Sequence, residues 1–248
     1  MAAITSSAHV TIASGTDTNT YVSSTYTPTS SGRLVLIGFA HSASSSPADL
    51  SSITGASLSS VTKILTLAYN TISTQLYKIE LWAALSTSSA STVSFNLPAT
   101  NTGGAWDIME MANVDTSKGT LGIVTANVAS NRADSGTAVS ATLAGFQDSH
   151  NGAVAVIGAN GNPTIPAKSG WTQDTDVLIS PPNQHLGTQW IATNDTAPGS
   201  TLSVSNAWAI IAAELWSVDA SSGGSPYTVP SAKHRHHGNA GAQRSSLW

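Results

Sequence analysis

Four blocks of this sequence recur in order, each roughly 105 to 120 residues after its first appearance. Ile37-Gly38 in "LVLIGFA" returns as Ile157-Gly158 in "VAVIGAN". The stretch "LWAALSTSSASTVS" (81–94) returns as "QWIATNDTAPGSTLS" (189–203), which sets Trp82 over Trp190, and each is followed by a shorter apolar strand. Finally, "AWDIMEMANVD" (105–115) matches "AIIAAELWSVD" (209–219) without a gap, pairing Glu110 with Glu214 and Asp115 with Asp219. Two copies cannot form a solenoid, which needs at least about three repeats to bury its faces. The economical solution is two similar sheet-forming halves, related by a pseudo-twofold axis and packed on one core.

The local pattern says what those halves are made of. "RLVLIGFAH" (33–41), "VTKILTLAY" (61–69), "STVSFNL" (91–97), "GAVAVIGAN" (152–160) and "STLSVS" (200–205) have strand length and strand composition, bounded by Ser, Asn, Gly and Pro. "QLYKIELWAAL" (75–85) has the length of a helix, but Tyr77, Ile79, Leu81 and Ala83 alternate with Lys78, Glu80 and Trp82, a period of two. Turn residues arrive about every ten residues, the rhythm of a sandwich rather than of βαβ units. The expectation is an all-β, jelly-roll-like antiparallel β-sandwich over residues 1–219, with duplicated halves at about 20–115 and 139–219, and an extended arm over 220–248.

Composition narrows the function. There are no cysteines, which excludes disulfides and thiolate metal sites. The N-terminal stretch "MAAITSSAHVTIASG" has neither a basic start nor a signal-length apolar core, and no window approaches the eighteen or so apolar residues of a membrane span, so we read a soluble chain made in the cytosol. Residues 1–219 hold all thirteen Asp and Glu against six Lys and Arg, a charge of −7. The remaining three basic residues, Lys233, Arg235 and Arg244, make the rest +3. An acidic body disfavours nucleic acid over most of its surface.

Candidate chemistry has to be weighed against plain structure. Glu110 and Glu214 recur inside apolar strands, and paired carboxylates serve glycoside hydrolysis; the simpler expectation is that each faces solvent on the outer side of its sheet. His150 near Asp148 in "FQDSHNG" offers a base and an orienting acid, but no GxSxG elbow accompanies it and a Gly/Asn-bounded turn accounts for it. Asp174 and Asp176 in "TQDTD" resemble a fragment of a calcium loop without the rest of one. His234, His236 and His237 are able to bind nickel or zinc adventitiously, with no scaffold to fix a site. Asn194 in "NDT" fits a glycosylation acceptor and equally a turn. Trp82, Trp106, Trp190 and Trp208 recur as core residues would. Trp171, in "KSGWTQD", has no counterpart in the first half and is the candidate glycan contact. Neither a catalytic residue nor a cofactor is expected, and no metal site is assigned.

The combination of "TPTSSGRLVLIGFA", a strand with "LWAAL", "STVSFNL" and "AWDIMEMANVD", followed by a degenerate second copy, resembles the β-sandwich virion structural proteins of tailed bacteriophages, over roughly residues 20–219. The resemblance implies a non-enzymatic particle component, of head-decoration or minor tail type, made in the bacterial host cytoplasm and located in the virion. It supplies no functional residues. The partners expected are other capsid or tail subunits and copies of the chain itself, with no nucleic acid and no membrane. A carbohydrate-binding module or host-recognition adhesin is the alternative.

The last thirty or so residues lie outside that resemblance. A Gly/Ser/Pro-rich segment of this length cannot bury enough of its own surface to order itself, so we read it as an arm that docks on another subunit. Pro226 and Pro230 keep it extended, Lys233, Arg235 and Arg244 meet an acidic neighbour, and Tyr227, Leu247 and Trp248 supply the apolar contacts.

Overall fold

The computed structural model describes residues 2–43, 47–70 and 76–219. Among them there are strands and turns and no helix, and thus no helix long and apolar enough to cross a membrane. The strands are β1 (Thr5–Ser14), β2 (Thr18–Val22), β3 (Leu34–Ala43), β4 (Ser52–Thr54), β5 (Leu58–Tyr69), β6 (Leu76–Ser86), β7 (Ser94–Asn101), β8 (Gly103–Ala112), β9 (Ile123–Ala133), β10 (Ala138–Ser140), β11 (Gly152–Asn160), β12 (Thr172–Ile179), β13 (Gln184–Ile191), β14 (Gly199–Thr201) and β15 (Trp208–Leu215). The all-β sandwich expected from alternation is what the chain forms, and 76–86 is a strand despite its helix-like length.

Two antiparallel five-stranded sheets make the centre, ordered β1-β8-β3-β6-β5 and β12-β13-β11-β15-β9. Around the middle strands β3 and β11 the order is the same in both: β6 then β5 on one side and β8 then β1 on the other, matched by β13 then β12 and by β15 then β9. The first sheet also takes in β1, which precedes the residues where the sequence repeat begins. A three-stranded sheet, β2-β7-β4, and a two-stranded one, β10-β14, complete the fold.

The cores show how these pieces stack. Along β3, Leu34, Leu36 and Ala40 enter a central core that also holds Met109, Val154, Val156, Leu186 and Ile211, so the two large sheets face each other. The alternate residues Val35, Ile37 and Phe39 point the other way, onto Tyr21, Ile53 and Phe95 of the three-stranded sheet. Phe39 stacks on Phe95 at 5.1 Å, with Trp106 5.1 Å from Phe95. In the second half, Ile157, Ile210 and Trp208 likewise meet Val139, Leu143 and Leu202. The result is four layers, small-large-large-small. Strands β3, β8 and β15 are buried along their whole length and β11 along nearly all of it, the burial that gives near-continuous apolar runs rather than polar alternation.

The repeated Ile-Gly has a direct cause in this stacking. A Cβ on Gly38 would lie 3.0 Å from the Thr188 Cγ2 and 3.3 Å from Val156, and one on Gly158 would lie 2.5 Å from Ile79 Cγ2 and 2.7 Å from Tyr69 Oη. Each glycine lets its middle strand approach the opposite sheet. The finer sequence pairing fails, however. Gly38 sits opposite Leu81 and Gly158 opposite Leu186, yet Trp82 belongs to the first outer core whereas Trp190 borders the central one. Glu110 and Glu214 stay on outward faces, but opposite Val35 and Ala153, three and five residues before their respective glycines. A slide of two residues keeps a side chain on its face and an odd slide inverts it. The strand order recurs between the halves; the residue register does not.

Candidate functional site

Glu110 and Glu214 are fully buried, not solvent-facing as expected. The reason is that both side chains point to the outer faces of their sheets, where the connections leading into β3 and β11 lie over them. The Glu110 carboxylate accepts hydrogen bonds from the Thr29 backbone N–H at 2.8 Å, Tyr26 Oη at 3.0 Å, Arg33 Nη1 at 3.2 Å and the Thr29 hydroxyl. Burial pushes its carboxyl up, but the Thr29, Tyr26 and Arg33 donors outweigh that and hold it below the ordinary glutamate value. Glu214 accepts from the Gln147 N–H at 2.8 Å and from the side-chain amides of Asn151 and Asn127, each at 2.6 Å. Thr29 and Gln147 lie in the segments entering β3 and β11, so each carboxylate fastens the lead into its middle strand. The two acids occupy outer faces of different sheets with the central core between them, and they form no joint site.

Two further buried acids sit within apolar strands and went unmarked by sequence reasoning: Glu80 in "KIELW" and Asp107 in "AWDIM". Glu80 accepts from the Leu50 N–H at 2.7 Å and Trp82 Nε1 at 2.9 Å, and lies 3.2 Å from Nε2 of the fully buried His41 and 3.5 Å from Lys63 Nζ. Burial raises its carboxyl, and the His41, Leu50 and Lys63 contacts bring it below its ordinary value. Close by, Asp49 bridges Lys63 at 2.9 Å and Lys78 at 2.6 Å. Burial opposes its ionisation, yet the two ammonium groups hold its carboxyl down at about 2. An acid within an apolar run was visible at both strand positions; the Leu50 N–H and the strand side chains that surround Glu80 were not.

Asp107 belongs to a different arrangement, at the flank where the edge strands of the two large sheets meet. Thr11 Oγ1 of β1 donates to Asp107 Oδ1 at 2.7 Å, and the Thr188 hydroxyl of β13 donates to Oδ2. His9 Nε2 lies 2.8 Å from Asp107 Oδ1 and 3.9 Å from Asp174 Oδ2, and it also contacts the Thr11 hydroxyl. Asp107 is fully buried and the Asp174 side chain is 10% exposed, while His9 opens to solvent at 37%. Asp174 Oδ2 is enclosed and has no hydrogen-bond partner. Burial and the Asp107 charge push the Asp174 carboxyl up to about 6, against the His9 charge and a hydrogen bond from the Ser6 side chain; the Asp107 hydrogen bond, opposed by burial and helped by both carboxylate charges, raises His9.

The backbone explains how Asp174 gets there. Strand β12 carries a bulge between Gln173 and Thr175. Gln173 Oε1 accepts from Ala167 N–H at 3.3 Å and Asp176 Oδ2 from Ile165 N–H at 3.0 Å, so residues three apart face the same segment. That is impossible in a regular strand, where facing alternates, and the extra residue, Asp174, is turned toward the first sheet. The calcium-loop reading of Asp174 with Asp176 therefore fails: the bulge splits them, and Asp176 instead holds His185 Nδ1 at 2.8 Å.

The remaining candidates resolve more simply. His150 Nδ1 and its own N–H both engage Asp148 Oδ1, at 2.7 and 2.8 Å, closing a turn. Trp171 does not face a ligand: a turn through Gly170, at φ +86°, folds its ring into the second outer core, where it is 7% exposed and Nε1 donates to Asp195 Oδ2 at 2.8 Å. Asn194 lies in the connection between β13 and β14. An open recess of about 430 Å³ beside β10 and β14, lined by Lys168, Pro166, Pro198 and Ser200, holds no paired acid and base. Tyr227, Lys233, Arg235, Arg244, Leu247 and Trp248, with the histidines at 234, 236 and 237, lie outside the described residues.

The architecture defines a four-layer antiparallel β protein with buried carboxylates at fixed loop anchors. No protein-family model, curated protein or solved structure matches the chain.

Proposed function

We propose that the chain is a non-enzymatic structural protein of a tailed-phage virion, on the head surface in preference to a minor tail position, docking on neighbouring subunits through residues 220–248. The supporting observation is the use made of buried polar groups: Glu80, Glu110 and Glu214 each accept a backbone N–H from a connection, at Leu50, Thr29 and Gln147, and so hold the layers to their connections. Groups so occupied serve a rigid block. The virion assignment itself rests on the resemblance of the strand pattern over residues 20–219. Charge supports self-association, since a +3 tail and a −7 body are complementary between copies of one chain. The glycan-binding alternative loses its aromatic platform with Trp171 in the core.

The test is incorporation into particles. The full chain and a 1–219 truncation, both confirmed folded by circular dichroism and thermal melting, are mixed with particles lacking the protein. The full chain should incorporate and the truncation should remain in solution. Equal incorporation of both would sink the docking role, and absence of the full chain from purified virions would sink the virion assignment.

A further inference from the structure

We infer that His9, Asp107 and Asp174 form a binding site for one first-row divalent cation of the zinc class, held between the two large sheets. The inference is independent of the virion reading. Among the described residues these three place one ligand atom each within 4.8 Å of one another. A tetrahedral ion with bonds of about 2.0–2.1 Å separates its ligand atoms by about 3.3 Å. The 2.8 Å and 3.9 Å separations from His9 Nε2 bracket that value.

The decisive atom is Asp174 Oδ2. It is enclosed, lacks a hydrogen-bond partner, and belongs to a side chain nine-tenths buried and aimed at His9 and Asp107. A buried polar atom without a partner is costly, and an ionised carboxylate more so. His9 is the one cation the cluster supplies, and its single charge faces two carboxylates. A divalent ion bound to a neutral imidazole balances both acids. The surrounding groups fit that role: the Thr11 and Thr188 hydroxyls donate to Asp107 and orient it, as outer-shell donors orient metal-bound carboxylates. Half-exposed His9 gives the ion a way in, and the bulge turns Asp174 inward, where Ser6 hydrogen-bonds the carboxyl yet Oδ2 stays unpartnered beside His9.

Ligand chemistry selects the ion. One imidazole with two carboxylates suits zinc and its first-row neighbours, whereas magnesium and calcium prefer all-oxygen shells. Since His9 and Asp107 come from the first large sheet and Asp174 from the second, the bound ion would act as a clip between them and hold the N-terminal edge strand.

The test uses the full chain carrying His234→Ala, His236→Ala and His237→Ala, which removes adventitious zinc binding by the tail. After chelator treatment, titration calorimetry with zinc chloride at neutral pH should give one equivalent bound and a raised melting temperature, with magnesium and calcium far weaker. Asp174→Asn should weaken zinc binding by at least about 100-fold, more than outer-shell changes do, while His9→Gln, at a half-exposed position that leaves the fold intact, should do the same. X-ray absorption at the zinc edge should show a single imidazole among oxygen ligands. Absence of binding, or undiminished binding in both variants, would overturn the site; magnesium binding as tightly as zinc would overturn the assigned class.

Discussion

Replacing Gly158 with alanine tests the close approach of the two large sheets. The new methyl would sit 2.5 Å from Ile79 Cγ2 and 2.7 Å from Tyr69 Oη, so a neighbour must move by about an ångström to reach ordinary contact. Neither neighbour gives easily. Ile79 and Tyr69 are fully buried, and Tyr69 is held by a 3.0 Å hydrogen bond from Gln184 and by stacking on Tyr77 at 5.6 Å. Overpacking of this kind costs about 1–3 kcal/mol, and the loss of backbone freedom in the unfolded chain returns about 0.4–1 kcal/mol. A net loss of about 1–2 kcal/mol follows, equivalent to roughly 2–8 °C in melting temperature for a fold of this size. At Gly38 the nearest atom is 3.0 Å away and the next 3.3 Å, a demand of a few tenths of an ångström, so Gly38→Ala should be close to neutral. Urea denaturation should show the Gly158→Ala midpoint lowered with an unchanged slope. Tyr69→Phe, which removes the clashing oxygen, should cost less in the Gly158→Ala background than alone. A Gly158→Ala midpoint equal to or above that of Gly38→Ala would refute the close packing of the middle strands.

Three further outcomes follow from the same geometry. Glu214→Gln sets an amide donor against the Gln147, Asn127 and Asn151 donors and should lower stability by about 1–3 kcal/mol in chemical denaturation; an unaffected midpoint would remove Glu214 from its anchoring role. Glu110 is held below its ordinary value by Thr29, Tyr26 and Arg33 against the effect of burial, so its stabilisation is complete above the ordinary glutamate range and is lost as pH falls from that range through the lowered value of the folded state. The fall in urea midpoint between neutral and acid pH should accordingly be shallower in Glu110→Gln than in the parent. Trp171→Phe, which removes the bond to Asp195 and also shrinks a buried ring, should cost at least about 0.5–1.5 kcal/mol, and Trp171→Ala about 3–5 kcal/mol, both read by thermal melting; a neutral alanine variant would mean that the ring lies outside the core.

What the sequence made legible, and what it hid, divides along a physical line. Period-two alternation over 75–85 outweighed helix-like length because facing is set by neighbours two residues apart, which sequence records directly. Ile-Gly recurred because a sheet-to-sheet contact needs a missing Cβ in both halves. The outer layers were hidden: β2, β4 and β7 are dispersed between residues 18 and 101, and nothing local says that they and the connection leading into β3 cover the face bearing Glu110, so a buried acid read as an exposed one. Trp171 was misplaced for a similar reason, since the turn at Gly170 that folds it inward leaves its loop looking polar. The His9–Asp107–Asp174 cluster was hidden most completely. It joins residues from positions 9, 107 and 174, and its third member depends on a bulge. Alternation through "TQDTD" puts Asp174 and Asp176 on one side of a regular strand; the shifted pairing with β13, and the Gln173 and Asp176 contacts with residues 165–167, show the extra residue that parts them. A site assembled by a break in periodicity leaves no periodic signal, which is why the inward carboxylate had to be read from backbone pairing rather than from residue order.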